Sequence, residues 1–148
     1  MAVLREQIDT ALPLSAAFAF VSDFANSSRW DPGVASAERV DSGAVGVGSR
    51  YRVGVRVGSR VIPMRYVVTS FEPTRRVVLV GSGSGIAAVD DIRFEATPTG
   101  TRIEYTADIR LEGLMRLAAP FAGGALSRVA RNAREGMQRT LDALAAQA

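Results

Sequence analysis

The sequence contains no cysteine and no histidine, and all 18 of its basic residues are arginine. Without cysteine, the chain can form no disulfide, thiol nucleophile or thiolate-bound metal site. Cysteine usage therefore does not indicate whether the protein resides in a reducing or an oxidising compartment. Without histidine and lysine, it cannot use a serine–histidine–aspartate triad, the common zinc sites, a lysine Schiff base or a phosphate-loop lysine. We therefore predict no metal and no cofactor, and any acid–base chemistry must use aspartate, glutamate or tyrosine.

The sequence also has a small net charge and lacks long apolar runs. The formal net charge is +3, and the arginines are scattered from Arg5 to Arg139, so no nucleic-acid partner is predicted. No apolar run approaches the roughly 20 residues that span a bilayer, and Ala11–Val21 is interrupted by Pro13 and Ser15. We expect no secretory signal, no stable membrane insertion and a cytoplasmic location. The exclusive use of arginine is typical of a GC-rich bacterial genome.

The length of 148 residues is close to the roughly 150 residues of one domain, so we expect a single domain over residues 1–148. Hydrophobic residues make up 47% and charged residues 22%, which are the proportions of a globular protein with a substantial core. The sequence leaves open whether the chain is a monomer or a homodimer.

Alternating apolar and polar residues predict seven strands, at Ala2–Thr10, Val34–Val40, Arg50–Val57, Arg60–Phe71, Val77–Val80, Ile86–Ala96 and Arg102–Leu111. Between the first two strands we predict two short helices, the first capped by Ser15 and the second ending before Trp30. A long amphipathic helix is predicted from about Ala125, because Pro120 and Gly123 should interrupt an earlier start. Its apolar side carries Leu126, Val129, Ala130, Ala133, Met137, Leu141 and Leu144.

This order of elements predicts an α+β fold in which a curved, seven-stranded antiparallel sheet wraps around the long C-terminal helix. Such a sheet is wider than one helix, so the space between them fills only if the facing side chains are large. The residues expected to face that space are small, namely Ala88, Ala96, Ala107, Ala130 and Ala133. We therefore predict an internal cavity of roughly 300–1,000 Å³, the usual range of ligand pockets.

Asp90 is the strongest candidate for a functional residue. If Ile92 and Phe94 face inward, the period of two places Asp90 inward and Asp91 outward, unless a bulge near Gly85 exchanges them. A buried Asp90 would have a raised pKa and could act as a general acid or base. The alternative is a structural carboxylate hydrogen-bonded to a tyrosine or a turn amide.

Glu6 shares the parity of Leu4 and Ile8 and is a second candidate base, although near a strand end it could simply reach water. The tyrosines of the apolar face could orient a ligand through their phenols, or be ordinary core residues. Trp30 and Met64 could border a pocket mouth or also belong to the core. The predicted ligand-binding set is Trp30, Tyr51, Val53, Met64, Tyr66, Asp90, Ile92, Tyr105, Val129, Ala133 and Met137.

Several short motifs are carried in a characteristic order: the segment Phe18–Phe24, Trp30 in Arg29-Trp30-Asp31-Pro32, the segment Val47–Tyr51, the segment Asp91–Phe94, and Gly100-Thr101-Arg102 before the last strand. Over nearly its whole length the sequence thereby resembles the SRPBCC superfamily, with its START-like and birch-pollen-allergen-like helix-grip fold. The resemblance is specifically to the polyketide cyclase/dehydrase and lipid-transport branch. It implies a deep pocket for a hydrophobic small molecule. The enzymes of the superfamily place different residues in that pocket, so no catalytic set carries over.

The function expected from the sequence is the binding, with transport as a further option, of a lipid, isoprenoid or polyketide-like molecule in the internal cavity. The enzymatic alternative is a polyketide cyclase or dehydratase that uses Asp90 or Glu6 as proton acceptor and a tyrosine as donor to the enolate oxygen. A third class is an accessory domain that binds a protein partner. The sequence does not decide whether any reaction is catalysed.

Overall fold

The computed structural model describes residues 2–147, except for the side chains of residues 118–123. Its seven strands are β1 (Ala2–Thr10), β2 (Val34–Arg39), β3 (Arg50–Val57), β4 (Arg60–Glu72), β5 (Arg76–Gly83), β6 (Ile86–Thr97) and β7 (Gly100–Leu111). They form one antiparallel sheet in the order β1-β7-β6-β5-β4-β3-β2. Strands β2 to β7 are therefore a meander, and β1 pairs with β7 at one edge.

Short helices join the two edge strands of the sheet. They are α1 (Leu14–Ser22) and α2 (Ser27–Trp30), separated by a 3-10 turn over Phe24–Asn26. The prediction that Ser15 caps α1 is wrong, because the helix begins at Leu14 after Pro13, with no side-chain capping bond. Pro13, at φ −59° and ψ 152°, ends the preceding extended segment and directs the chain into the helix.

The long C-terminal helix α3 (Ala119–Gln147) follows a 3-10 segment over Gly113–Ala118. It begins earlier than the predicted start near Ala125, and Pro120 does not prevent this. Proline is tolerated in the first turn, where the backbone N–H has no partner within the helix. With α3 against the seven-stranded sheet and two short helices between β1 and β2, the predicted α+β helix-grip fold is confirmed. No helix within residues 2–147 is long and apolar enough to cross a membrane.

The sheet curls because its pairing is irregular at two places. The register shifts between Val34 and Ser36 in the β2–β3 pair and between Val68 and Ser70 in the β4–β5 pair. Such bulges bend a strand and increase its local twist. The concave face that results receives α1 against β6 and β7, and α3 against β1.

One end of this concave face is filled with large side chains. Phe18 of α1 contacts the rings of Phe71 and Phe94 edge-on, with centroids 5.3 and 5.0 Å apart. The fully buried Ile92 and Ile103 belong to the same hydrophobic core. The other end of the concave face, toward the start of β1 and the end of β7, is hollow.

Candidate functional site

A cavity of about 150 Å³ lies between the sheet and α3. This is smaller than the predicted 300 Å³ minimum, because large side chains fill the end of the sheet near α1. Its walls are mostly apolar and come from six strands, the α1–β2 connection and α3. The apolar lining residues are Leu4, Ile8, Phe24, Trp30, Val34, Val53, Val55, Ala88, Ala107, Ile109, Val129, Ala130, Ala133 and Met137.

Eight of the eleven residues predicted to bind a ligand line this cavity: Trp30, Val53, Tyr66, Asp90, Tyr105, Val129, Ala133 and Met137. Whether they bind a ligand stays a prediction. Tyr51, Met64 and Ile92 do not line it, although all three are buried as the alternation predicts. The period of two identifies the face of a strand, but it does not tell how far along that face a cavity extends. Tyr51, for example, packs edge-on against Phe24 instead.

Four of the five small residues expected to face the cavity do line it, and Ala96 does not. Ala96 has the parity of Ala88 but lies next to the β6–β7 turn, where it is exposed to solvent. The end of a strand can extend past the layer that covers the rest of the sheet, so parity alone does not bury its last residues.

Asp90 is the most buried charged side chain of the site, with 6% of its surface exposed. The Tyr105 hydroxyl donates a hydrogen bond of 2.6 Å to its Oδ2 atom. Burial raises the pKa of Asp90 to about 6, although the bond from Tyr105 acts in the opposite direction. Asp91 lies on the opposite face, where Arg76 pairs with it at 2.8 Å and lowers its pKa.

Two tyrosines supply neutral hydroxyls at the cavity. Burial raises the pKa of Tyr66 and Tyr105 far above the ordinary value, so both stay protonated near neutral pH. Tyr105 donates to Asp90, whereas the structure gives the Tyr66 hydroxyl no hydrogen bond to any described residue. Tyr66 lies over Gly81, its partner across the strand pair, where an added Cβ atom would overlap the tyrosine ring. The absence of a side chain at Gly81 therefore leaves room for the Tyr66 ring.

Glu6 also lines the cavity, as its parity predicts, but it has a cationic partner. The Nε atom of Arg134 on α3 lies 3.4 Å from Glu6 Oε2. Glu6 is only partly buried, and its charge is compensated. Its position therefore suits a structural ion pair between α3 and β1 better than a proton acceptor.

The sequence reasoning missed a third acidic residue of the cavity, Asp31. This residue follows α2, lines the cavity and accepts a 2.8 Å hydrogen bond from the Gly33 backbone N–H at its Oδ1 atom. Burial raises its pKa as well. Aspartate two residues before glycine is the signal of an Asx turn, which predicts the turn but not the space that the side chain faces.

Comparison with known proteins agrees with this geometry. The family model for polyketide cyclase/dehydrase and lipid transport matches residues 1–148. The chain belongs to this family. Membership of this family supports a ligand-binding domain, which is consistent with a cavity between the sheet and α3. None of the curated proteins matches the sequence.

Several solved structures share the fold over nearly the whole chain. A protein of Thermus thermophilus superimposes with a TM-score of 0.80 at 14% identity, covering 99% of this chain and 100% of its own. The ZhuI aromatase/cyclase of a Streptomyces species superimposes with a TM-score of 0.77 at 12% identity, covering 99% of this chain and 94% of its own. A START superfamily protein of Mycobacterium smegmatis superimposes with a TM-score of 0.74 at 13% identity, covering 98% of this chain and 97% of its own. At these identities the likeness establishes the fold and not the chemistry.

Proposed function

We propose that the protein binds a hydrophobic small molecule, of lipid, isoprenoid or polyketide-like character, in the cavity between the sheet and α3. The observation that carries this proposal is an interior hollow with mostly apolar walls and only a few polar groups. Burying apolar surface supplies roughly 25 cal/mol per Å², before the costs of association. The polar groups of Asp90, Tyr66 and Tyr105 would orient the guest.

The size of the cavity limits what it can hold. An engineered cavity of about 150 Å³ in another protein holds one benzene molecule. A single ring or a short chain would therefore fit inside, whereas a larger guest would extend past Val129, a lining residue that is 44% exposed, or require α3 to move from β1. The contacts that would have to open are the ion pair of Glu6 with Arg134 and the hydrogen bond from Gln138 to the backbone oxygen of Asp9.

Native mass spectrometry of freshly purified protein tests the binding proposal. We expect a mass increment from a co-purified apolar molecule, or uptake of added single-ring and short-chain compounds in one-to-one stoichiometry. The denatured protein serves as the control, because it has no cavity. Absence of uptake across a broad panel of lipids, isoprenoids and aromatic compounds would overturn the proposal.

A cyclase or dehydratase is the second candidate, because the pKa of about 6 leaves Asp90 mostly ionised at neutral pH yet basic enough to accept a proton. In this mechanism the Asp90 carboxylate removes a proton from a carbon between two carbonyl groups. The Tyr66 hydroxyl donates a hydrogen bond to the enolate oxygen that forms. A poly-keto substrate would supply both carbonyl groups.

Asp90→Asn separates the two candidates. In a carrier, the substitution should leave the affinity for a neutral apolar guest largely unchanged, whereas in a cyclase it should abolish turnover of a poly-keto substrate. Glu6→Gln is the comparison, since Glu6 already pairs with Arg134. If turnover survives Asp90→Asn and disappears in Glu6→Gln, Asp90 is not the base.

We further propose that the chain acts as a single domain over residues 1–148, in the cytoplasm, as a monomer or homodimer. An accessory domain for a protein partner would have a filled interior, and the cavity weighs against that function. Limited proteolysis would test the single domain, cell fractionation the location, and light scattering the oligomeric state.

A further inference from the structure

Besides Glu6, which pairs with Arg134, two acidic side chains face the cavity from different parts of the fold. Asp90 comes from β6 and Asp31 from the segment after α2, and both line the hollow. Burial is the main cause of the raised pKa values of Asp90, Tyr66 and Tyr105. In addition, the charge of Asp31 raises the pKa of Asp90, and both charges raise the pKa of Tyr66 and Tyr105. The cavity therefore concentrates negative charge in an apolar enclosure.

No arginine of the lining compensates these two carboxylates. Asp90 accepts from the neutral Tyr105 hydroxyl, and Asp31 accepts from a backbone N–H group. Of the two arginines at the cavity, Arg134 pairs with Glu6, and Arg56 donates to the backbone oxygen of Pro32 at 3.2 Å. Desolvated carboxylates without a cationic partner are costly, so a guest that brings a positive charge would relieve that cost.

The walls around the two carboxylates are aromatic. Trp30 and Tyr105 meet edge-on with centroids 5.8 Å apart, and Phe24 and Tyr66 meet in the same way at 4.9 Å. All four rings line the cavity. Aromatic faces attract ammonium groups through the ring quadrupole, most strongly when water is excluded. The indole N–H of Trp30 is buried and donates to no partner among the described residues.

From this arrangement we infer that the cavity selects small amines, with the ammonium group between Asp31 and Asp90 and an apolar or aromatic body against the four rings. The inference rests on the proposed binding function and specifies its ligand class. A guest that carries a carboxylate would meet two charges of its own sign in a medium of low dielectric. Asp31 and Asp90 thus become the residues that determine specificity.

A matched series of three probes tests this inference: 2-phenylethylamine, 2-phenylethanol and 3-phenylpropanoate place a cation, a neutral hydroxyl and an anion on the same two-carbon chain. Trp30, the only tryptophan of the chain, lines the cavity, so its fluorescence reports occupancy directly. The titrations are made at pH 7.5, above the pKa of Asp90.

We expect the amine to bind at least about tenfold more tightly than the alcohol, as hydrogen bonds to charged groups are the stronger ones, and the carboxylate to bind most weakly. An alcohol or carboxylate that binds as tightly as the amine would overturn the inference. If none of the three binds but other apolar molecules enter the cavity, the inference fails and the binding function stands. If nothing binds at all, both fail.

Variants of the two carboxylates show whether these groups cause the preference for the amine. Asp31→Asn and Asp90→Asn should each weaken amine binding about tenfold and leave alcohol binding within about threefold. Asp91→Asn is the control, since this neighbour points away from the cavity and pairs with Arg76. An amine preference that survives both cavity variants overturns the inference, and thermal unfolding verifies that each variant is folded.

Discussion

At the scale of single residues, Asp90 carries an energetic cost that its surroundings only partly offset. Its carboxyl group is buried, and among the described side chains its one hydrogen-bond partner is the neutral hydroxyl of Tyr105. Ionisation is therefore harder in the folded protein than in the unfolded chain, which is what a pKa raised from 3.8 to about 6 expresses. A group of this kind is retained at a functional site more readily than in an ordinary core.

Asp90→Asn should stabilise the protein at neutral and higher pH. Because the folded-state pKa lies above the unfolded value, the stability contributed by Asp90 is fully present below pH 3.8 and is lost as the pH rises through about 6. The variant avoids this loss, which amounts to at most about 3 kcal/mol. Urea unfolding of the parent protein and of Asp90→Asn from pH 4 to pH 8 measures the difference in their free energies of unfolding. A difference that does not grow with pH would contradict the assignment.

Tyr105→Phe should raise the pKa of Asp90 further. The Tyr105 hydroxyl donates to the carboxylate at 2.6 Å and thereby favours the ionised form, so its removal makes ionisation harder. The carbon chemical shift of the Asp90 carboxyl group, followed by NMR through a pH titration, gives the pKa directly. A pKa that stays the same or falls would show that the bond does not stabilise the charge.

At the scale of elements, the position of α3 depends on close packing against the segment that carries Trp30 and Asp31. A Cβ atom on Gly136 would overlap the Trp30 backbone oxygen and lie 3.0 Å from Pro32 Cδ. The Thr140 hydroxyl donates to the backbone oxygen of Arg29 in the same region. Helix α3 therefore contacts the wall of the cavity through backbone atoms, which cannot move aside as a flexible side chain can.

Gly136→Ala should destabilise the protein by about 1–3 kcal/mol, because the added methyl group forces α3 away from the Trp30 backbone. Gly124→Ala is the matched control in the same helix. A Cβ atom there meets no described atom within 4 Å, so the higher helix propensity of alanine should raise stability by up to about 1 kcal/mol. Denaturant unfolding measures both changes. Equal effects of the two substitutions would contradict the packing argument.

At the scale of the whole molecule, the cavity exists because one end of the curled sheet is filled and the other is not. Phe18, Phe71 and Phe94 fill the end near α1, while Ala88 and Ala107 line the opposite end. These small side chains leave the hollow open, although other lining residues, among them Trp30 and Met137, belong to the hydrophobic core. A substitution at Ala107, which lines the cavity but is not part of the core, can therefore change the cavity volume without removing a core side chain.

Ala107→Leu should abolish uptake of an apolar guest while the protein keeps its stability or gains up to about 2 kcal/mol, since the larger side chain fills part of the 150 Å³ hollow. Ala96→Leu makes the same change on β6 at an exposed position and should leave uptake unchanged. Native mass spectrometry measures uptake, and calorimetry measures stability. Continued uptake by Ala107→Leu would place the guest elsewhere.

Local sequence patterns predicted much of this structure. The alternation of apolar and polar residues has the period of a strand, so it could predict the seven strands and the opposite orientations of Asp90 and Asp91. The apolar stripe that includes Met137 and Leu141 has the period of a helix, and both of these residues are buried. Element ends were less accurate, because the start of α3 depends on the tolerance of a first helical turn for proline.

What the sequence by itself determined is which elements form and which face of each is apolar, because these properties depend on neighbours along the chain. Only the tertiary structure decided that Asp31 faces the same cavity as Asp90, that Glu6 meets Arg134, and that Tyr51 lies outside the cavity. These relations follow from the curl of the sheet and from the depth to which α1 fills it. Both arise from packing between distant segments, which no local period contains.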